Sequence, residues 1–430
     1  MTRLLIRGGR VIDPAEGIDR QGDVLVDEGR IVAVGSQLAP ESAEILDARG
    51  LVVCPGFVDP HAHLCEPGGE HRETIATGAM AAAAGGYTAV CAMPDTDPVV
   101  DDPASVGFVV AAGRRATGAR VFPAAAVSVG RKGEHLTEFG EVVDAGAVAV
   151  ADGGRVVRSS KLMRLALEYA QAFAIPILAH PEDAGLASGG VMHEGIVSTR
   201  LGLRGKPAAA EEIGAARDLA LAEMTGGRLH LQRVSTAATV ELIRRARRKG
   251  VEVTAEVTAH HLVLGHEVVA DYGTEYKVDP PLRTTADIEA LRSALADGTI
   301  DCIATDHTPC HYDEKEQAFD DAPFGAVGFE TTFAVLHTHL VATGILELAT
   351  LIERMSTGPA RALALPGGTL KPGESADLVL LDPAARWKID PTAFLSKCRN
   401  TPFAGEAVTG RVVRTLVGGR TVWSATGEGS

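Results

Sequence analysis

The chain has little cysteine and no motif of closely spaced cysteines. Its six cysteines are spread over 430 residues without a Cys-x-x-Cys pair. Cys54, Cys91 and Cys302 lie in apolar, strand-like segments, where a thiol behaves as a small hydrophobic side chain. This usage excludes a disulfide-rich scaffold, and no disulfide bonds are expected.

Long basic blocks and long apolar runs are also missing. The chain carries 41 Lys and Arg against 56 Asp and Glu, a formal net charge of −15, and its basic cluster at 244–249 is typical of a solvated helix face. Residues 2–7 lack the apolar stretch of a signal peptide, and no apolar run approaches membrane-spanning length. We therefore expect a soluble, cytoplasmic protein with no nucleic-acid partner and no membrane partner.

The two ends of the chain differ from the middle in their predicted secondary structure. Residues 1–55 and 366–430 contain short alternating strands broken by glycine turns, which predicts one composite β-sandwich domain built from both termini. Residues 56–365 alternate eight apolar strands with Ala-rich helices, the count of a (β/α)₈ TIM barrel. An open doubly wound sheet is the alternative, but no GxGxxG follows the first strand. Polar residues at almost every strand end fit a barrel mouth better, so the predicted fold class is an α/β barrel with a small β domain.

The pattern His61-Ala62-His63 ends the first predicted barrel strand. Because side chains alternate along a strand, both imidazoles lie on one face, where two ligands can reach one metal ion. Asp152, His180 and Asp306 each end a later apolar run. On a barrel all five side chains converge at the catalytic face, and a divalent metal with a nearby carboxylate supports hydrolysis of an amide or a similar bond.

Motifs along nearly the whole chain resemble one family. They are PGFVDPHAHLCEPGGEHRETIATG, GGYTAVCAMPDT, PILAHPEDAGL, GVMHEGIVSTRLGL, QRVSTAATVELI, EVTAHHL, YKVDPPLR, IATDHTP and APFGAVGFET. Segment by segment they are similar to the class I dihydroorotases of the amidohydrolase superfamily. The resemblance implies a zinc-dependent barrel enzyme of pyrimidine synthesis that interconverts carbamoyl aspartate and dihydroorotate.

The resemblance also implies roles for individual residues. It assigns the metal ligands as His61, His63, Asp152 and His180. It assigns Asp306 as the metal-bound catalytic acid/base, and Phe324-Gly325 as a backbone segment that touches substrate.

Five positions depart from the family pattern, and all five lie in the expected site. Cys65 replaces the arginine of HxHxR, and Cys310 replaces the histidine that follows TDHAP. Asp95 and Asp279 replace the asparagines of MPNT and NPPLR, and Arg233 replaces the second-metal histidine of QHVST.

The first four departures act on substrate binding. The family substrates carry carboxylates, for which arginine is a bidentate partner that cysteine cannot replace. Two like charges near 4 Å cost about 4 kcal/mol at an effective dielectric of 20, so Asp95 and Asp279 would oppose an anionic substrate. These changes predict impaired catalysis of the family reaction.

Arg233 bears on the number of metal ions. A guanidinium about 4 Å from a divalent ion is repelled by roughly 8 kcal/mol at that dielectric, whereas beside Asp152 it is attracted. We therefore expect one zinc per chain, held by His61, His63 and Asp306 with Asp152 as a further candidate.

Three functions are compatible with these features. The first is a dihydroorotase in the ordinary sense. The second is a catalytically degenerate, dihydroorotase-like scaffold subunit, with aspartate transcarbamoylase as the partner that the resemblance implies. The third is an amidohydrolase acting on a neutral or cationic cyclic amide. We also expect a homo-oligomer.

Overall fold

The computed structural model describes residues 3–40 and 42–425. None of the helices in these residues combines the length and the apolar character that a membrane span requires. The first five strands are β1 Leu4–Asp13, β2 Ile18–Asp27, β3 Arg30–Gly35, β4 Glu44–Asp47 and β5 Val52–Pro55. The next five are β6 Phe57–Ala62, β7 Tyr87–Ala92, β8 Arg120–Ala125, β9 Ala149–Ala151 and β10 Ile177–Ala179. The last eight are β11 Met192–His193, β12 Gly205–Lys206, β13 Leu229–Leu231, β14 Val253–Thr258, β15 Cys302–Ala304, β16 Leu378–Lys388, β17 Ala407–Val417 and β18 Arg420–Ser424.

The α-helices lie mostly between the strands of the middle region. The first seven are α1 Ile75–Ala84, α2 Pro103–Arg115, α3 Phe139–Asp144, α4 Ser160–Ala170, α5 Ile196–Leu201, α6 Ala208–Thr225 and α7 Ala237–Arg248. The others are α8 Ala259–Val263, α9 Thr285–Asp297, α10 Tyr312–Lys315, α11 Thr332–Leu336, α12 Leu348–Met355 and α13 Thr357–Ala362. Several begin at a side chain that caps the first turn, such as Thr74, Asp102 and Ser159.

Eight parallel strands form the barrel, in the order β6-β7-β8-β9-β10-β13-β14-β15. The last strand returns to the first, since Ala62 pairs in parallel with His307 and the His63 amide donates to the His307 carbonyl at 2.8 Å. Strand residues such as Ile177, Leu231 and Val257 are fully buried. All eight predicted strands are present, and the predicted TIM barrel is confirmed.

Strands from both ends of the chain hydrogen-bond in one further sheet. Its order is β18-β17-β16-β5-β1-β2-β3, with β4 pairing β1. A separate core of aliphatic side chains, including Ile6, Val24 and Leu380, lies under this sheet. The two termini therefore share a sheet as predicted, while the domain bounds 1–55 plus 366–430 and 56–365 stay a prediction.

Close packing joins α1 to the segment after the last barrel strand. Helix α1 ends at Gly85, and a Cβ atom there would lie 2.0 Å from the Phe329 carbonyl oxygen, so only glycine fits. Because parallel strands end together, the segments after β6, β7, β9, β10 and β15 all reach the same mouth of the barrel.

Candidate active site at the barrel mouth

His61, His63 and Asp306 meet at the mouth of the barrel. His61 Nε2 lies 3.6 Å from Asp306 Oδ1, and His63 Nε2 lies 3.9 Å from the same oxygen. All three residues are buried, and their candidate ligand atoms lie within 4.8 Å of one another. Asp306 has a φ of +48°, a left-handed conformation that a non-glycine residue seldom adopts and that costs about 1–3 kcal/mol. This strained backbone conformation directs the Asp306 carboxylate towards the two histidines. We call His61, His63 and Asp306 the metal triad.

Two carboxylates orient the histidines of the metal triad. His61 Nδ1 donates to Glu256 at 2.7 Å, and His63 Nδ1 donates to Asp95 at 2.7 Å. Each bond makes Nδ1 the donor to a carboxylate, so Nε2, on the side of Asp306, is the ring nitrogen available to a metal ion. His61 Nε2 is buried and has no hydrogen-bond partner, which is costly unless a cation binds there. The triad therefore fits a divalent ion of the zinc type, which takes three protein ligands from imidazole and carboxylate.

The surroundings of both carboxylates keep them ionised. Burial alone would raise the pKa of Glu256, but His61 and His230 outweigh it and hold that pKa at about 2. For Asp95, burial is likewise outweighed, by His63 and by Arg131, and the pKa lies well below its usual range. Glu256 was not predicted from the sequence, although a lone glutamate within an apolar strand was an available signal. Asp95, predicted to face substrate, instead positions His63.

Asp152 and His180 lie outside the metal triad. The Asp152 carboxylate accepts hydrogen bonds from the Ser128 amide at 3.1 Å and the Ser128 hydroxyl at 2.8 Å. His180 Nε2 is 3.8 Å from Asp279 and 3.9 Å from Glu182, and these three residues form a second group of candidate ligands. Burial, assisted by Arg233, drives the pKa of His180 well below its usual value, so its imidazole is neutral. Of the five predicted ligands, three therefore lie in the metal triad and His180 lies in the second group. Asp152 belongs to neither group.

Arg233 lies between the metal triad and the second group. Its guanidinium Nη1 donates to the Asp279 carbonyl at 2.8 Å and to Asp306 Oδ1 at 3.3 Å. The residue is 4% exposed, and its φ of +52° is again left-handed. The carboxylate that contacts the guanidinium is that of Asp306. The contact with Asp152 that was predicted from the charges was wrong. The guanidinium thus places a positive charge between the two groups of candidate ligands.

Lys206 neutralises the second group. Its ammonium Nζ lies 2.6 Å from Asp279 Oδ1 and 2.7 Å from Glu182 Oε2, and its side chain is 6% exposed. Burial of Asp279 is outweighed by Lys206 and Arg233, and the pKa of Asp279 lies well below its usual range. Neither Lys206 nor Glu182 was predicted from the sequence. Asp95 and Asp279 each have a cationic or imidazole partner that compensates the negative charge. The repulsion of an anionic substrate that was predicted from these two aspartates is therefore weakened.

The two cysteines of the site supply no charge. Cys65 Sγ faces the His63 carbonyl at 3.8 Å, and burial raises its pKa far above the usual value. Cys310 Sγ faces the Phe324 carbonyl at 3.6 Å, and burial raises its pKa to about 11. Both are protonated, unreactive thiols at neutral pH. The Gly325 amide donates to the Lys277 carbonyl at 2.9 Å, and the Lys277 ammonium lies 4.9 Å from the centre of the Phe324 ring.

Comparisons with known proteins agree with this geometry. A family model described as dihydro-orotase-like matches residues 50–239, and a model described as amidohydrolase family matches residues 205–423. Two curated relatives are named dihydroorotase. The one from Anaeromyxobacter dehalogenans (strain 2CP-C) is 52% identical over 422 residues, which cover 97% of each chain. The one from Pelotomaculum thermopropionicum is 49% identical over 420 residues, which cover 98% of each chain.

Solved structures share the whole architecture. The L-hydantoinase (dihydropyrimidinase) from Arthrobacter aurescens has a TM-score of 0.89 and 27% identity, and the match covers 100% of this chain and 97% of that one. The dihydropyrimidinase from Brevibacillus agri has a TM-score of 0.84 and 25% identity, with 97% and 94% of the two chains covered. With about half of its residues identical to curated relatives over nearly its full length, this chain belongs to the dihydroorotase family of amidohydrolases.

Proposed function

We propose that this protein is a metal-dependent cyclic amidohydrolase that interconverts carbamoyl aspartate and dihydroorotate. The observation that carries the proposal is the metal triad, in which the Nε2 atoms of His61 and His63 lie 3.6 and 3.9 Å from the Asp306 carboxylate. The relatives named dihydroorotase, about 50% identical, support the choice of substrate. The setting we propose is the cytoplasm.

The triad residues have distinct roles in this reaction. A zinc ion bound there would act as a Lewis acid that polarises an amide carbonyl and makes water more acidic. Asp306 accepts the proton of the attacking water on its carboxylate and returns it to the leaving ring nitrogen. Glu256 and Asp95 hold His61 and His63 in the required tautomer and orientation. We propose one zinc per chain, because the Arg233 guanidinium lies between the triad and His180.

Steady-state assay of the zinc-loaded protein in both directions tests the proposal. Asp306→Asn, compared with the wild type at equal zinc content by elemental analysis, should have a kcat lower by about 10²–10⁴-fold, because the variant loses the proton acceptor. Asp271→Asn, an exposed carboxylate on the surface, is the matched control and should keep the wild-type rate. A zinc-loaded wild-type protein that turns over neither compound would overturn the activity.

A second candidate is the catalytically degenerate scaffold. The observation that favours it is the loss of a cation at Cys65 together with the buried guanidinium of Arg233 beside Asp306. The partner that we propose for this case is the aspartate transcarbamoylase of the same organism. Co-expression followed by size-exclusion chromatography with light scattering tests it, and separate elution at micromolar concentration argues against the scaffold.

The third candidate, an enzyme for neutral or cationic cyclic amides, loses support. It depended on an acidic pocket, and the carboxylates of that pocket are compensated by Lys206, Arg131 and Arg233.

A further inference from the structure

A cavity lies between helices of the barrel and the sheet that the two termini share. It has a volume of about 300 Å³. Helices α1 and α11 and strands β16, β17 and β18 all contribute to its lining. The described lining contains no residue of the metal triad and none of the second group of candidate ligands. We call this cavity the aromatic pocket.

Aromatic side chains form a large part of the wall of the aromatic pocket. Only 4% of the residues of the chain are aromatic, yet five of the fifteen residues that line the pocket are. They are Phe329, Phe333, Trp387, Phe394 and Trp423, and they include both tryptophans of the chain. Aromatic rings attract one another in stacked and edge-to-face arrangements, so this wall favours a ligand that is itself a planar ring.

The volume of the aromatic pocket limits the size of that ligand. A cavity of about 150 Å³ takes one benzene ring. At about 300 Å³ the aromatic pocket has room for one ring or two fused rings with a short substituent. This volume is at the lower end of the range for small-molecule sites, which is about 300–1,000 Å³.

The lining offers hydrogen-bond donors that have no partner. Within the described residues, the side chains of Lys388 and Arg411 make neither a hydrogen bond nor an ion pair. The Arg411 guanidinium lies 5.4 Å from the centre of the Trp387 ring, so it borders the aromatic wall. The indole N–H of Trp423 also has no hydrogen-bond partner in that part of the chain. A ligand that accepts hydrogen bonds would satisfy these donors.

Both acidic residues of the lining already accept hydrogen bonds from the protein. Glu330 accepts from the Leu395 amide at 2.9 Å and from the Ser396 amide at 3.2 Å, and Asp390 accepts from the Thr392 hydroxyl at 2.7 Å. Burial raises the pKa of Glu330 to about 7, so at neutral pH this carboxyl group is only partly ionised. The free charges of the lining are therefore positive, and they favour an anion.

We propose that the aromatic pocket is a second ligand site, which binds an aromatic carboxylate of one or two rings. The rings of the ligand lie against the aromatic wall, and Arg411 and Lys388 pair with its carboxylate. The site goes beyond the proposed reaction, because its lining includes none of the residues assigned to the metal or to the substrate.

Fluorine NMR of the zinc-loaded protein labelled with fluorotryptophan tests the site, because both tryptophans line it. The probe is naphthylacetate, and naphthylethanol and naphthylethylamine carry the same rings with a neutral and a cationic group. Naphthylacetate should shift both fluorine resonances with a Kd of about 1 mM or tighter. Naphthylethanol should bind about three- to tenfold more weakly, since exposed ion pairs contribute modestly, and naphthylethylamine should bind more weakly still.

A variant that fills the aromatic pocket tests where the probe binds. Ala393 is an exposed residue of the lining, and Ala393→Phe adds a ring there that should abolish the shifts caused by naphthylacetate. The matched control is Ala296→Phe, the same change at an exposed position of α9, which should bind naphthylacetate as the wild type does.

A second variant removes the charges and keeps the rings of the wall. Arg411→Gln/Lys388→Gln should bind naphthylacetate only as tightly as naphthylethanol, and its affinity for naphthylethanol should not change. The matched control is Arg114→Gln/Arg115→Gln, an exposed pair in the last turn of α2. It makes the same change in net charge and should leave all three affinities unchanged.

Three results would overturn the inference. If none of the three probes shifts a fluorine resonance, the aromatic pocket does not take an aromatic ligand. Shifts that persist in Ala393→Phe would place the probe outside the pocket. Equal affinities for the three probes, or a preference for naphthylethylamine, would contradict the assignment of an anion. None of these measurements depends on turnover, so the inference and the proposed function can fail separately.

Discussion

Replacement of Lys206 by methionine tests whether the charges of the second group depend on one buried ammonium. Nζ lies 2.6 Å from Asp279 and 2.7 Å from Glu182, distances at which each attraction is about 6 kcal/mol at an effective dielectric of 20. Desolvation of the ammonium offsets most of that sum, and breaking a buried pair typically costs about 3–5 kcal/mol. Lys206→Met leaves two partly buried carboxylates without this ammonium, so its free energy of unfolding should fall by that amount.

The expected change in melting temperature follows from chain length. An unfolding entropy of about 2.1 cal/mol/K per residue amounts to about 0.9 kcal/mol/K for 430 residues, so Lys206→Met should melt about 3–6 °C lower. Differential scanning calorimetry at pH 7.5 measures this. The double variant Lys206→Met/Asp279→Asn removes one of the stranded charges and should recover part of the loss, whereas Lys206→Met/Asp271→Asn should not.

Two results would refute this reasoning. A Lys206→Met protein that melts within about 1 °C of the wild type would mean that the ion pairs contribute nothing net. A double variant with Asp279→Asn that is no more stable than the single variant would mean that Asp279 is not coupled to Lys206. In either case the charge of Asp279 would again stand as an obstacle to anionic substrates.

Further predictions concern the metal and the pH dependence of stability. Arg233→His should raise the zinc content measured by elemental analysis from one equivalent to two, because a ligand replaces a repelling cation beside His180; a content still at one would count against the charge argument. Glu256→Gln should weaken zinc binding about 10–100-fold in chelator competition, since the His61 tautomer is no longer imposed. Burial, opposed by Arg217, raises the pKa of Asp218 to about 6. The folded state therefore binds this proton more tightly than the unfolded state, and stability is lost as pH rises from about 4 to 6, by about 3 kcal/mol. Asp218→Asn escapes that loss, so its melting temperature relative to the wild type should increase by about 3 °C between pH 4 and pH 7, while that of Asp271→Asn should not.

Local patterns were sufficient to predict the architecture. Each barrel strand is a short apolar run. A run such as residues 177–179 has apolar side chains on both faces of the strand, as expected for a parallel sheet that is covered on both sides. The alternation of strands and helices then limits the topology to very few arrangements. The pair His61 and His63 could be assigned for the same reason, because a period of two places both side chains on one face of the strand wherever that strand lies.

The partners of the charged residues could not be predicted in this way. His63 pairs with Asp95, 32 residues away, Lys206 with Asp279, 73 residues away, and His61 with Glu256, 195 residues away. From the sequence, an aspartate in a substrate motif counts as a negative charge facing the substrate. In the folded chain Asp95 lies against an imidazole and Asp279 against an ammonium. Whether a charge is exposed to a ligand or compensated depends on contacts of 2.6–2.7 Å between residues that are far apart in the chain.

The sequence by itself thus determined the barrel, the shared terminal sheet and the histidine pair at the mouth, because these follow from hydrophobic periodicity and strand geometry. Tertiary structure alone decided that Asp152 is held by Ser128, that Arg233 contacts Asp306, and that the Lys206 ammonium lies between Asp279 and Glu182. The physical reason is that electrostatic interactions act through space and fall off with distance, whereas periodicity acts along the chain. A sequence lists the charges, and only the fold sets the distances between them.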